Sequence, residues 1–294
     1  MPRVPPLAQV AAGALLLSFA PIFVRIARVG PTTAGFYRMA LAGIVLVAVI
    51  AIRRERLWSG RVALGFAVVA GVWFALDLFF WHKAIHLIGP GLATIIANFQ
   101  VFLLAAYGAL VLRERVTWRL GVAIPLALCG LFLLVGVEWR ALAPGYRWGV
   151  ILGLLTAVSY ASFLLTLRAS QRRTRRLEPI PNLMIICAVT ALLLGAGAPL
   201  AGESLAVPDA STGLVLVAYA ISAQVVGWLL ISRGIPHVEA GRAGLMLLLQ
   251  PSLAFVWDVL FFDRPTDIAD VLGAAMALGA IYLGTAGKKM AVGR

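Results

Sequence analysis

The stretch Trp73-Phe74-Ala75-Leu76-Asp77-Leu78-Phe79-Phe80-Trp81-His82 sets one carboxylate among aromatic rings in an otherwise apolar run. An ionised Asp at the centre of a membrane helix costs roughly 2.5–3.5 kcal/mol on insertion scales, so it must face protein or a water-filled cavity. Two roles fit. Asp77 either meets a substrate ammonium or carries a coupled proton, or it is a structural partner for Arg25 or Arg38. Positions 77 and 81 share a helical face and 82 lies about 100° round from 81. Asp77, Trp81 and His82 are therefore expected to border one cavity, where indole and imidazole, each with an apolar body and a polar edge, suit a small amphipathic ligand. The alternative sets Trp81 and His82 in the aromatic belt at the membrane surface.

Amides extend the candidate lining. Asn98, Gln100 and Gln250 interrupt apolar runs, and an amide can hold a carboxylate or an ammonium without fixed charge. Hydrogen bonding between helices is the plainer use, at about 0.6 kcal/mol each. Tyr160, Phe163 and Trp228 are further cavity candidates, as is Trp257, although aromatics at helical spacing serve packing more often. Pro21 and Pro251 free the carbonyls of Leu17 and Leu247 and are candidate gating kinks, with simple packing as the alternative. Ala8/Ala12 and Gly149/Gly153 form small faces for close helix approach.

The elements that position these residues follow from composition. Of 294 residues, 62% are hydrophobic and 13% charged, against roughly 45–50% and about 25% in soluble domains. Apolar runs of about 20 residues recur, the length that carries a helix across about 30 Å of hydrocarbon. Expected spans are 6–27, 32–52, 62–86, 91–112, 117–137, 147–168, 180–201, 211–233, 240–262 and 267–287. A net charge of +13 would suggest nucleic acid in a soluble protein. Its distribution argues otherwise: taking alternate loops, eighteen basic residues fall on one side and seven on the other, the bias that marks the cytoplasmic face. Both termini are then cytoplasmic. Cys129 and Cys187 lie in apolar runs without metal-ligand spacing, and no cofactor is expected.

The chain also repeats. Lys83-Ala-Ile ahead of Gly91, Ala93 and Gln100 aligns without a gap with Arg233-Gly-Ile ahead of Gly241, Ala243 and Gln250, and Ser18-Phe19-Ala20 matches Ser159-Tyr160-Ala161. Five spans per half is odd, so the second copy enters from the opposite side. The reading is an all-α integral membrane protein of about ten helices in two inverted five-helix repeats, 1–140 and 141–294.

The stretch GPGLATIIANFQVFLLAAYGALVLRERVTWRLGVAIPLALCGLFLLV, with Glu114-Arg115 and Thr117 closing one span and Gly121 and Gly130 in the next, resembles the end of an EamA domain. VEAGRAGLMLLLQPSLAFVWDVLFFDRPTDIADVLGAAMALGAIYLGT resembles a second, departing where Asp263 replaces Glu; in the first, Val101 replaces Pro. Two such domains are similar to the ten-helix drug/metabolite transporters. That resemblance implies export of small metabolites from a bacterial inner membrane, and the aromatics of the third span point to YddG-type amino-acid exporters. Membrane lipid and a small-molecule substrate are the expected partners, and a monomer the expected state. The rival classes are an intramembrane enzyme, for which no GxSxG, HExxH or GxxxxGK[ST] motif is present, and a channel, for which no filter repeat is present. Within transporters, a lipid or drug exporter is the alternative.

Overall fold

The computed structural model describes residues 4–55, 60–135, 145–173, 179–200, 202–262 and 266–285. The boundary between 140 and 141, Asp263 and the basic C-terminal residues lie outside them. Every regular element among the described residues is a helix: α1 (Pro6–Ser18), α2 (Ala20–Ile26), α3 (Pro31–Arg53), α4 (Arg61–Ala97), α5 (Gln100–Leu110), α6 (Trp118–Val135), α7 (Tyr146–Arg173), α8 (Pro179–Leu200), α9 (Ala210–Tyr219), a π-helical segment (Ala220–Gly227), α10 (Trp228–Gly234), a 3-10 turn (Ile235–His237), α11 (Ala240–Leu247), α12 (Leu249–Phe262) and α13 (Ile268–Thr285).

Among the described residues, eight candidate spans are long and apolar enough to cross a membrane, while Gln100–Leu110 and Trp118–Leu133 are shorter apolar helices. The expected fourth span, 91–112, is the one that differs. Its first residues continue the helical run of α4, and only after a break at Asn98-Phe99 does α5 begin. A straight helix of 37 residues would be about 55 Å long, nearly twice the hydrocarbon thickness. The run therefore has to turn. Phe74 stacks on Phe163 and Ile88 packs on Gly149, so this part of α4 runs antiparallel to α7. Ile96 then packs on Gly153, back toward the middle of α7. The reversal falls between Ile88 and Ile96, where Gly89-Pro90-Gly91 interrupts the apolar sequence.

The internal repeat is visible in backbone detail. After α3, Arg54 adopts φ 53° and its N–H bonds to Ala51, while the Glu55 N–H bonds to Ile50. After α8, Gly202 adopts φ 75° and bonds to Pro199, while Glu203 bonds to Ala198. Each pair of positions is 148 residues apart, and both ends are left-handed helix stops of the kind that satisfies terminal carbonyls. Matching helices run in opposite directions. Gly130 of α6 meets Gly273 and Ala277 of α13, whereas Ala123 meets Gly284 further along. A β-carbon on Gly130 would stand 2.6 Å from backbone atoms of α13, so this antiparallel crossing depends on the missing side chain.

Candidate functional site

Helix α7 serves as a ruler across the molecule. Gly149 lies near one end and Arg168 near the other, 19 residues or about 28 Å apart. Tyr160 and Phe163 fall close to the middle. Here the rings of Phe74 and Phe163 stack at 4.4 Å, and Trp228 meets them edge-on at 5.3 and 4.9 Å. Tyr160 adjoins Phe163 at 6.3 Å and Trp228 at 6.5 Å. Three helical segments from both halves thus supply one aromatic cluster.

Arg38 of α3 is buried beside it, 5.8 Å from the Phe74 ring and 5.0 Å from that of Tyr219. Its Nε donates to Gln224 Oε1 at 2.9 Å and its Nη1 to the Tyr219 hydroxyl at 3.0 Å. Gln224 lies in the π-helical segment and Tyr219 immediately before it. Insertions of π geometry recur at functional sites. Asp77 is buried within electrostatic reach of Arg38, and both act on Tyr160.

Each end of the molecule is closed by a carboxylate that crosses between halves. At one end Glu114 Oε2 accepts the Ala240 N–H at 2.8 Å, and its Oε1 accepts from Arg168 Nη2 at 2.5 Å. Arg168 also donates to the Val238 carbonyl at 2.6 Å. At the other end Glu203 accepts the N–H groups of Thr33 at 2.8 Å and Thr32 at 3.2 Å, at the start of α3. Thr33 Oγ1 donates to the Ser204 carbonyl and the Tyr37 hydroxyl to that of Leu205. Partial burial pushes the Glu203 carboxyl up, but the hydrogen bonds from Thr33 and Thr32 outweigh it and hold the group below its ordinary value.

The model of the EamA-like transporter family matches residues 6–136 and again 147–285. The chain belongs to that family. An uncharacterized transporter from Archaeoglobus fulgidus is 25% identical over 172 residues, 58% of this chain and 58% of that relative's length. A solved crystal structure has the same fold, with a TM-score of 0.81 at 20% identity over 95% of this chain and 97% of its own. The molecule is accordingly a multi-pass membrane protein of the EamA-like transporter family.

Within the EamA frame the expected residues divide. Asp77, Tyr160, Phe163 and Trp228 come together at the centre, and Gln250 is in polar contact with Tyr160 while its Nε2 has no protein partner among the described residues. Gln100 is fully buried with neither amide atom partnered among the described residues, and the Trp228 Nε1 likewise has no partner among them. Buried polar atoms without protein partners are the natural contacts for a ligand or water. His82 sits elsewhere: its Nδ1 lies 3.2 Å from Thr32 Oγ1, at the Glu203 end, with Trp81 against it at 5.4 Å. Asn98 Nδ2 donates to its own helix at Thr94 O.

Pro21 and Pro251 both follow breaks, at Phe19 and at Leu248. Trp257 closes the first of these by stacking on Phe19 at 4.6 Å and donating to Ser18 Oγ at 2.7 Å. Sequence reading named Arg38 only as a possible partner of Asp77 and did not reach Gln224 or Tyr219. A cation seven residues into an apolar helix was the available signal.

Proposed function

We propose that this EamA protein exports small metabolites, chiefly amino acids with aromatic or aliphatic side chains, by alternating access through the site between its halves. One observation carries the reading: charged, amide and aromatic side chains from both halves converge midway along α7. Aromatic faces suit an apolar side chain, and unpartnered amides suit charged ends. The two end closures, Glu114 on α11 and Glu203 on α3, are the contacts that would open in turn. In this reading the chain has ten spans with both termini in the cytoplasm, lies in a bacterial inner membrane and works as a monomer, since two fused halves already supply both walls of the site. Resemblance to YddG-type exporters supports the substrate class.

The test is counterflow of labelled amino acids in proteoliposomes at two pH values. Saturable exchange is expected, with Gln100→Ala slowing it and Trp228→Ala, in the central aromatic cluster, slowing bulky substrates most. Ion conductance without saturable exchange would overturn the carrier reading. Parental rates in both variants would move the cavity away from these residues.

A further inference from the structure

Asp77 and Arg38 are opposite charges that share the centre of the molecule without touching. Arg38 turns its Nε and Nη1 to Gln224 and Tyr219, and neither it nor Asp77 has a further polar partner among the described residues. The Asp77 carboxylate, on a residue only 8% exposed, accepts no hydrogen bond from them. Such an arrangement is costly. Two buried, mutually attracting ions would ordinarily close into direct contact, because attraction strengthens as water is excluded. Arg38 is held by its two neutral neighbours and packs against the rings of Phe74 and Tyr219.

A guanidinium carries five N–H donors in a fixed fork. Two are engaged here, which leaves three, and a planar fork matches a carboxylate in a bidentate way that an ammonium cannot. Asp77 offers the complementary acceptor. We propose that Arg38 and Asp77 are the two poles of a zwitterion site, Arg38 taking a substrate carboxylate and Asp77 its ammonium, with Gln224 and Tyr219 positioning the guanidinium. Tyr160, within reach of both charges, stands beside the point where the substrate side chain leaves the headgroup. Phe163 and Trp228 continue that surface.

This rests on the transport reading above, and a ligand series on the unaltered protein separates the two. Phenylalanine, phenylalaninamide and 3-phenylpropionate would compete for uptake of labelled phenylalanine into proteoliposomes preloaded with phenylalanine. Phenylalaninamide lacks the carboxylate and 3-phenylpropionate lacks the ammonium. Each should compete at least about tenfold less well than phenylalanine, the scale of one charge-assisted hydrogen bond. Arg38→Lys should weaken phenylalanine competition by a similar factor and leave phenylalaninamide unchanged; Gln224→Ala should do so by about threefold.

Equal competition by phenylalaninamide would overturn the role of Arg38, and equal competition by 3-phenylpropionate that of Asp77, with the carrier left standing. Absence of exchange with any amino acid would remove both the substrate class and this site. Should Arg38→Lys fail to fold, the ligand series alone still decides.

Discussion

The two ends of the molecule solve one problem with different chemistry. At each, a carboxylate from one half caps the first N–H groups of a helix in the other. Glu203 does only that, accepting from Thr32 and Thr33 on a partly exposed surface. Glu114 also neutralises Arg168, whose side chain is 4% exposed. A cap alone is worth about 1 kcal/mol. Removing the partner of a buried ion costs about 3–5 kcal/mol, because the remaining charge stays behind. The Glu203 end should therefore open more easily than the Glu114 end.

The sharpest way to break that comparison is Glu114→Ala, for which thermal unfolding in detergent should show a loss of about 3–5 kcal/mol. Arg168→Met alongside Glu114→Ala should recover most of it, since the orphaned charge is gone. A loss near 1 kcal/mol in the single variant would make the two ends equivalent.

Glu203→Ala should cost about 1 kcal/mol. Its pH dependence adds a second reading. The folded carboxyl is held below its ordinary value, so its contribution is complete above the unfolded value of about 4.3 and is lost as pH falls through the folded one. Unfolding followed from pH 7 into the acid range should show a decline that Glu203→Gln flattens. An unaltered slope would mean that the cap does not titrate with folding.

The smallest effect concerns the helix breaks. Leu248 interrupts the α11–α12 pair three residues before Pro251, and Asn98 interrupts the α4–α5 pair at the matching position, 150 residues earlier, where Val101 stands in place of proline. The second break survives without its proline, held by the Asn98 side chain on Thr94 and by the 3-10 bond from Val101 to Asn98. Asn98→Leu should cost about 0.6 kcal/mol in the same unfolding assay. A loss as large as that at Glu114 would place the amide in a more demanding role than local capping.

These features show what was legible beforehand. Hydropathy located the spans because the membrane demands continuous apolar runs, and most helices coincide with them. It did not show the break inside the fourth, because an apolar run does not reveal where helical bonding pauses: the chain reverses between Ile88 and Ile96, where the third and fourth spans were expected to divide, and a further break comes at Asn98. Asp77 and the aromatic candidates stood out by type alone. Gln224 and Tyr219 did not, since their meaning comes from Arg38, more than 180 residues away in sequence. No spacing rule links residues that meet only after two halves have packed. The repeat proved more exact in the backbone than in the side chains, as the left-handed stops at Arg54 and Gly202 show.

The cap that Glu203 places on α3 also bears on how the protein is made. It joins residues 171 and 170 positions apart, and synthesis proceeds at about 5–20 residues per second, so α3 enters the membrane roughly 10–35 s before its cap exists. Helix α11 has no such wait, because Glu114 precedes Ala240 by 126 residues and is already in place. The newborn first half must therefore rest with one helix start exposed to lipid headgroups or to the insertion machinery, and the arrival of Glu203 marks the moment at which that half can close.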